Sequence, residues 1–427
     1  MAFQKTNVLI FPAGAENALE INASLRHSVN FKVFGGSSVE DHAAFAYDNY
    51  IGGMPRLSDP DFLAALNAVI AEHDIGLIFP THDTVALWMA EHRDEIGATV
   101  VTSEAATALV CREKRRTFAL FAGDDFCPAI HPDAASVPAF PVFVKPDIGE
   151  GGRNARVIAD REALSAALAA DPDLIVCEHL PGEEYTVDCF TDRHGTLLFA
   201  GPRSRDRVKM GISFASRTQP LTDEIAAVAE RINGKLAFRG LWFFQLKRAA
   251  DGRLKLLEVS TRLAGTMAVY RQLGVNFALL SAFDAQGRDV AILKNNLDLA
   301  VDRCLLGRYR LDYDYDTAFL DYDDTIVHEG QVNDLVLRFL YQCANRGVRM
   351  VLITRHRGDL AAHMKAHRIA PELFDEIHHI PNGALKSAYV KGPRAIFIDN
   401  HFPERLEVAR ACGVPVFDVD AVECLLA

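Results

Sequence analysis

The chain lacks several features that would place it quickly. Its eight cysteines are scattered, with no CxxC pair, so cysteine-bound metal and a disulfide framework are not expected. Reduced, mostly core cysteines point to a cytoplasmic protein. It has no apolar run of about 18 residues, so no membrane span is expected. The N-terminus lacks the charged head, apolar core and cleavage site of a signal peptide. Positive charge is in deficit: 45 Lys and Arg against 57 Asp and Glu, a net charge of -12. That excludes the usual profile of a nucleic-acid binder. No internal repeat or low-complexity tract is evident, and neither a Walker loop nor a dinucleotide fingerprint is present.

What remains is an ordinary globular composition, 49% hydrophobic and 24% charged over 427 residues, enough for two or three domains. The pattern changes twice along the chain. In the first 110 residues, short apolar strands (NVLIFP, Phe31–Phe34, Ile75–Pro80) alternate with helical periodicity, which predicts a parallel α/β layer. Glu16, His82 and Asp83 follow two of those strands, where such sheets bind ligands; cap and turn roles fit them equally. Ser103–Phe121 reads as one helical connection and Pro128–Pro141 as a proline-rich linker. Alternating strands and hairpin signals such as Asp251-Gly252 then predict antiparallel sheet over residues 111–310. Arg203–Arg217 reads as a basic loop, suited to a carboxylate or simply solvated. After the acidic, tyrosine-containing stretch near Asp302–Asp316, strand–helix alternation returns over residues 311–427. The predicted fold class is thus α/β and α+β.

The stretch FVKPDIGEGGRNARV, Phe143–Val157, predicts a strand, a flexible turn and a second strand. Lys145 ends the first strand, and Gly149, Gly151 and Gly152 let backbone N–H groups approach a ligand. One cation beside a glycine-rich backbone can cradle phosphate, although a plain surface turn has the same composition. Further along, Gln245 lies on one strand of a predicted hairpin, and Glu258 and Ser260 share a face at the end of the other. Hard oxygen donors opposite a triphosphate are how Mg2+ is held. Lys114 adds an earlier cation, and Glu178 stands at a strand end before Pro181-Gly182.

Taken together, IFPAGAENALEI, GLIFPTHDTVAL, CREKRRTFALF, FVKPDIGEGGRNARV, CEHLPGEEYTVDCF and FFQLKRAADGRLKLLEVSTR resemble the ATP-grasp superfamily over about residues 1–300. The nearest branch includes carbamoyl-phosphate synthase and amino-acid ligases. The resemblance implies a pre-ATP-grasp domain (1–110) and an ATP-grasp domain (111–310). It implies that Lys114 and Lys145 contact ATP phosphates, that Glu178 lies at the adenine hinge, and that Glu184 or Asp188 lies near the ribose. Gln245, Glu258 and Ser260 would hold Mg2+, for which Mn2+ could substitute; Ser260 stands where the family usually has asparagine. Arg262 would hold the transferred phosphoryl group or the acyl phosphate.

A second constellation begins at FLDYDDTI, where a strand delivers Asp321 and Asp323 on one side. One carboxylate can attack phosphorus while the other moves a proton. Thr354 ends a later strand in MVLITRH, Lys386 follows, and Asp399 ends the strand of AIFIDNHFPE. This set resembles the haloacid dehalogenase (HAD) superfamily of phosphatases over about 316–427, with a Rossmann-like fold and no large cap. The resemblance makes Asp321 the nucleophile and Asp323 the general acid and base. Thr354 and Lys386 would bind the phosphoryl group, and Asp321, Asp399 and the Asp323 carbonyl would bind Mg2+. Asp324 stands where a glycine is usual, and Asn400 and Glu404 where a second acid is common.

The expected protein is a bifunctional enzyme: an ADP-forming carboxylate–amine ligase joined to a phosphohydrolase. Its partners would be a small carboxylate, an amine and a phosphorylated small molecule, with neither nucleic acid nor membrane. The alternative is one active half beside a nucleotide-sensing or structural module. The oligomeric state stays open, a homodimer included.

Overall fold

A computed structural model describes residues 5–149, 151–209 and 211–426. Glu150 and Met210, which fall in the two loops singled out above, lie outside the described residues. The chain divides into two compact units, Met1–Leu305 and Leu306–Ala427. The first unit spans the expected 1–110 domain and all but the last residues of the expected 111–310 domain.

The first unit opens with a five-stranded parallel sheet, in the order Tyr50–Ile51, Phe31–Gly36, Thr6–Phe11, Ile75–Pro80, Thr99–Val100. Its central strand is apolar on both faces, because Val8 and Ile10 pack on one side and Leu9 and Phe11 on the other. Two antiparallel four-stranded sheets follow. One orders Ile130–His131, Leu174–Glu178, Val142–Pro146 and Arg156–Ile158; the other orders Leu197–Ser204, Glu184–Thr191, Gly240–Arg248 and Leu254–Ser260. Helix Asp223–Lys235 covers the second of these, burying Ile225, Val228, Ala229 and Ile232 against Trp242 and Phe244. It starts where Thr222 accepts a bond from the Ile225 N–H, with Asp223 and Glu224 complementing its dipole.

Three sequence expectations change. The single helix over Ser103–Phe121 is two, Ala105–Arg112 and Lys114–Leu120, broken by the extended backbone of Glu113. The proline-rich linker contributes Ile130–His131 to a sheet edge. The basic loop is mostly strand: Arg207–Lys209 pairs with Ile212–Arg217, which pairs in turn with Ala300–Asp302. That partner lies some eighty residues away, so no local signal announced the pairing.

The second unit has one parallel sheet, ordered Glu376–His379, Arg349–Thr354, Thr317–Leu320, Ala395–Ile398, Val416–Phe417. Helix Asp334–Arg346 begins at an Asn333 cap, ends at left-handed Gly347 and buries Val336, Phe339, Leu340 and Cys343. Lys386 lies in the 3-10 turn Lys386–Ala388. Among the described residues no helix is long and apolar enough to cross a membrane.

The first unit's antiparallel core turns on Trp242. It is fully buried, stacks on Phe238 at 3.9 Å and donates its indole N–H to Thr191 Oγ1 at 2.8 Å. Trp242→Ala should destabilise this unit by about 3–5 kcal/mol, measured by denaturant unfolding of the full chain followed by far-ultraviolet circular dichroism.

Candidate functional site

In the first unit, the strand Val142–Pro146 carries Lys145 into the interior, where it is 8% exposed. Its ammonium donates to the Leu257 carbonyl at 2.8 Å and sits 4.7 Å from the centre of the Phe118 ring. Burial holds its pKa below the usual lysine range; nearby Lys114 acts the same way, while Glu258 and Glu184 oppose. Lys114 opens its helix and donates to the carbonyls of Asp147 and Gly149 at 3.1 and 3.3 Å, anchoring the glycine turn. Glu178 exchanges bonds with Ala129, its Oε1 accepting the backbone N–H at 3.0 Å. Glu184 pairs with Arg205 at 2.6 Å and Lys247 at 3.5 Å. Gln245 and Glu258 stand opposite each other on adjacent strands.

All of these border one cleft of about 350 Å3, together with Gly149, Gly151 and Gly152. A second glycine closes on the same turn. A Cβ on Gly211, whose φ is +74°, would lie 2.3 Å from the Gly151 carbonyl carbon. Sequence reasoning missed Arg205, Lys247 and Gly211 as lining residues. Lys247 could have been found by the period of two from Gln245; the Gly211 contact depends on two loops meeting, which the sequence does not show.

Three residues expected at this cleft are placed otherwise. Asp188, expected near a ribose, is fully buried and gripped by Arg203 through bonds of 2.7 and 3.2 Å. Burial raises its pKa, against the pull of Arg203. Ser260, expected as a metal ligand, donates its hydroxyl to Asp83 Oδ1 at 2.6 Å. Arg262 donates through Nε to Asp83 Oδ2 at 2.8 Å. Burial pushes Asp83 up, but the Arg262 charge and the bonds from Ser260 and Arg262 hold its pKa below the usual range. Asp83 is therefore the one of the three early candidates seen joined to these residues. A larger cavity, about 580 Å3, lies by Arg93, Arg239 and Asp284, away from all this chemistry. Its Arg239 side chain is committed to Asp284.

The antiparallel register explains why these groups form one series. Glu184, Thr186 and Asp188 alternate on one face of their strand, with Arg203 opposite Thr186 on one side and Gln245 and Lys247 opposite on the other. One end of that face holds Glu184, Arg205, Lys247, Gln245 and Glu258. The other holds Asp188, Arg203 and, beyond Phe243, Ser260.

In the second unit, Thr317–Leu320 and Ala395–Ile398 pair in parallel, so Asp321 and Asp399 leave the same sheet end. Lys386 joins them, its Nζ 2.6 Å from Asp321 Oδ1 and 2.7 Å from Asp399 Oδ2. Burial pushes the Asp321 pKa up to about 6, with Asp399 adding to the effect and Lys386 opposing it. Thr354 is buried and accepts the His356 N–H at 3.1 Å. Asp323 is half exposed and meets the His356 ring at 2.8 Å; His356 was not singled out from the sequence. Asp324 has φ +55°, in the left-handed region that favours glycine. Its carboxylate meets His328 at 3.1 Å. Glu404 is held by Arg355 at 2.6 Å, and the Asn400 N–H donates to Thr325 at 3.1 Å.

Among the described residues no three His, Cys, Asp or Glu side chains converge to hold a metal by themselves. The donors at both places are nevertheless hard oxygens, the set that suits Mg2+ when phosphate and water complete the shell: Gln245 and Glu258 in the first unit, Asp321 and Asp399 in the second.

Two tests follow from this geometry. Gly211→Ala forces an unfavourable φ and separates the two loops. It should weaken the binding of an ATP analogue, used as a phosphate-bearing probe, by roughly tenfold, for about 1–2 kcal/mol of strain, and lower the melting temperature by a few degrees; calorimetric titration and a melting curve measure this. The raised Asp321 pKa stabilises the fold most below the unfolded value near 3.8 and loses that contribution as pH rises through about 6. In chelator-treated protein, the stability difference between Asp321→Asn and the parent should therefore move in favour of the variant between pH 4 and pH 7, read from melting curves across that range.

Comparison with known proteins bears on the first unit. Residues 170–304 match a family described as ATP-grasp in the biosynthetic pathway with Ter operon. No curated protein matches the chain. Among solved structures, it is similar to a biotin carboxylase–β-γ-ATP complex from Campylobacter jejuni, at 16% identity and a TM-score of 0.56, over 70% of this chain and 75% of that one. It is similar to an L-amino acid ligase from Bacillus licheniformis, at 16% identity and a TM-score of 0.53, over 67% and 75%. It is also similar to N5-carboxyaminoimidazole synthetase from Staphylococcus aureus complexed with ADP, at 14% identity and a TM-score of 0.56, over 69% and 80%. Residues 170–304 thus match an ATP-grasp family, and about 70% of the chain shares the fold of these structures.

Proposed function

We propose that the first unit is an ATP-dependent carboxylate–amine ligase. The observation that carries this reading is the single cleft that gathers Lys114, Lys145, three loop glycines, Glu178, Glu184, Gln245 and Glu258. ATP lies there with its phosphates toward Lys145 and the glycine turn. A carboxylate oxygen of the acid attacks the γ-phosphorus, the bond to the β-phosphate oxygen breaks, and ADP leaves. An amine then attacks the acyl carbon, the carbon–oxygen bond to phosphate breaks with its electron pair passing to the departing phosphate, and the amine loses a proton. Lys145 is held by the Leu257 carbonyl, so its charge needs little reorganisation as negative charge moves. Mg2+ held by Gln245 and Glu258 would supply further charge neutralisation on the phosphates.

For the second unit the proposal is a phosphohydrolase. Asp321 attacks phosphorus, and Asp323 gives a proton to the departing oxygen. Asp323 then takes a proton from the water that opens the aspartyl-phosphate. Lys386, between two carboxylates, offsets the charge that would otherwise repel a phosphate. The half-exposed Asp323 side chain supports an open site able to accept a bulky substrate.

The two activities separate by mutation of the full chain. Lys145→Met should lower carboxylate-dependent ADP release by on the order of a hundredfold or more and leave phosphate release from an aryl phosphate unchanged. Asp321→Asn should do the reverse, and chelation of Mg2+ should stop both. No ADP release from any acid and amine pair would reject the ligase; phosphatase activity surviving Asp321→Asn would reject the second assignment.

A further inference from the structure

The inner end of the charged sheet face holds a second gathering of positive charge, and one member is unanswered. Arg203 is 1% exposed, and its charge is met by Asp188, with Thr266 Oγ1 accepting from its Nη1. Arg303 follows the strand Ala300–Asp302 and is fixed there by its backbone N–H, which donates to Phe214 O at 3.0 Å. Its guanidinium rests on Gly265: a Cβ at that position would lie 2.8 Å from Nη2 and 3.0 Å from Nη1, a closeness that glycine alone permits. Two guanidinium groups therefore converge on Gly265-Thr266 from different strands. Arg203 has its carboxylate. Arg303 Nη1 is buried and has no hydrogen-bond partner among the described residues. Of the carboxylates in its field, Glu20 is already paired with Arg271 at 2.5 and 3.1 Å, and Glu16 is exposed at the start of its helix.

A buried N–H donor of a charged fork, left without an acceptor, costs stability unless a ligand supplies one. The acceptor that fits a guanidinium best is a planar oxyanion. Arg303 does not border the nucleotide cleft, so the group it meets is not the carboxylate being activated beside Lys145. We infer that Arg303 binds a second, spectator carboxylate on one of the ligase's substrates and so selects a substrate with a free acid group that survives the reaction. This rests on the ligase reading of the first unit. The carboxylate could belong to the acid partner, as in a dicarboxylate, or to the amine partner, as in an amino acid.

The test uses the full chain with Mg2+ and a non-hydrolysable ATP analogue, titrated calorimetrically with matched probes. Short dicarboxylates are compared with their mono-amides for the acid partner, and amino acids with their amides for the amine partner. In the parent protein, the free-carboxylate member of one set should bind about tenfold tighter than its amide. Arg303→Met should abolish that preference, leave the nucleotide analogue's affinity within about twofold, and keep or raise the ligand-free melting temperature, because it removes a buried donor that has no acceptor. Arg303→Lys should restore part of the preference. A preference that persists in Arg303→Met, or none in either probe set, overturns the inference. ADP release that does not distinguish Arg303→Met from the parent for any substrate also overturns it, with the ligase reading intact. A carboxylate preference lost in Arg303→Met, but without ADP release from any pair, supports the Arg303 site and rejects the ligase.

Discussion

The first unit depends on keeping an ammonium inside the protein without putting a carboxylate directly on it. Lys145 is buried, lies over an aromatic ring and is held by a backbone carbonyl. Glu258 and Glu184 act on it only through space. Burial lowers its pKa, and an anion brought alongside would raise it again. The surrounding architecture serves that arrangement. The strand Val142–Pro146 ends at the glycine turn, Lys114 ties down that turn's carbonyls, and Gly211 packs against its backbone from the far side. A side chain at Gly211 would force the two loops apart.

Lys386 in the second unit solves the opposite problem. It lies at similar depth but has carboxylates at 2.6 and 2.7 Å. Without it, Asp321 and Asp399 would be two buried negative charges leaving one sheet end, a costly arrangement in a medium of low polarity. Even with it, burial leaves Asp321 titrating near 6. The first lysine has no carboxylate directly on it, whereas the second makes a cluster of anions tolerable.

Much of this was legible in the sequence because it depends on local patterns. Apolar runs ending at Lys145, Asp321, Thr354 and Asp399 set strand ends, and alternation placed Gln245 and Glu258 on facing strands. Residues governed by distant partners were not legible. Nothing near Asp188 signals that Arg203 will claim it, and nothing near Ser260 or Arg262 signals Asp83, some 180 positions earlier. The strand at Ile212–Arg217 was hidden for the same reason, since its ladder is completed by Ala300–Asp302. Asp324 was noted only as a departure from the usual glycine. Its left-handed backbone is visible only in three dimensions.

The Asp83 contact gives Arg262 a meaning that a motif match does not contain. If Arg262 is to meet a substrate carboxylate or phosphoryl group, as the proposed ligase would require, it must be kept in place without being neutralised irreversibly. Asp83 supplies a bond of the same chemical type, a carboxylate on Nε, from the end of the parallel sheet. Exchanging that partner for an incoming oxyanion replaces one charge-assisted bond with another, so the net cost is far below that of breaking an ion pair outright. Ser260 completes the logic. Its hydroxyl donates to the other Asp83 oxygen, so the carboxylate keeps a partner when the arginine turns away. Ser260 is then a support for Asp83, and under the proposed ligase reading the N-terminal layer would belong to the reacting site rather than only flank it.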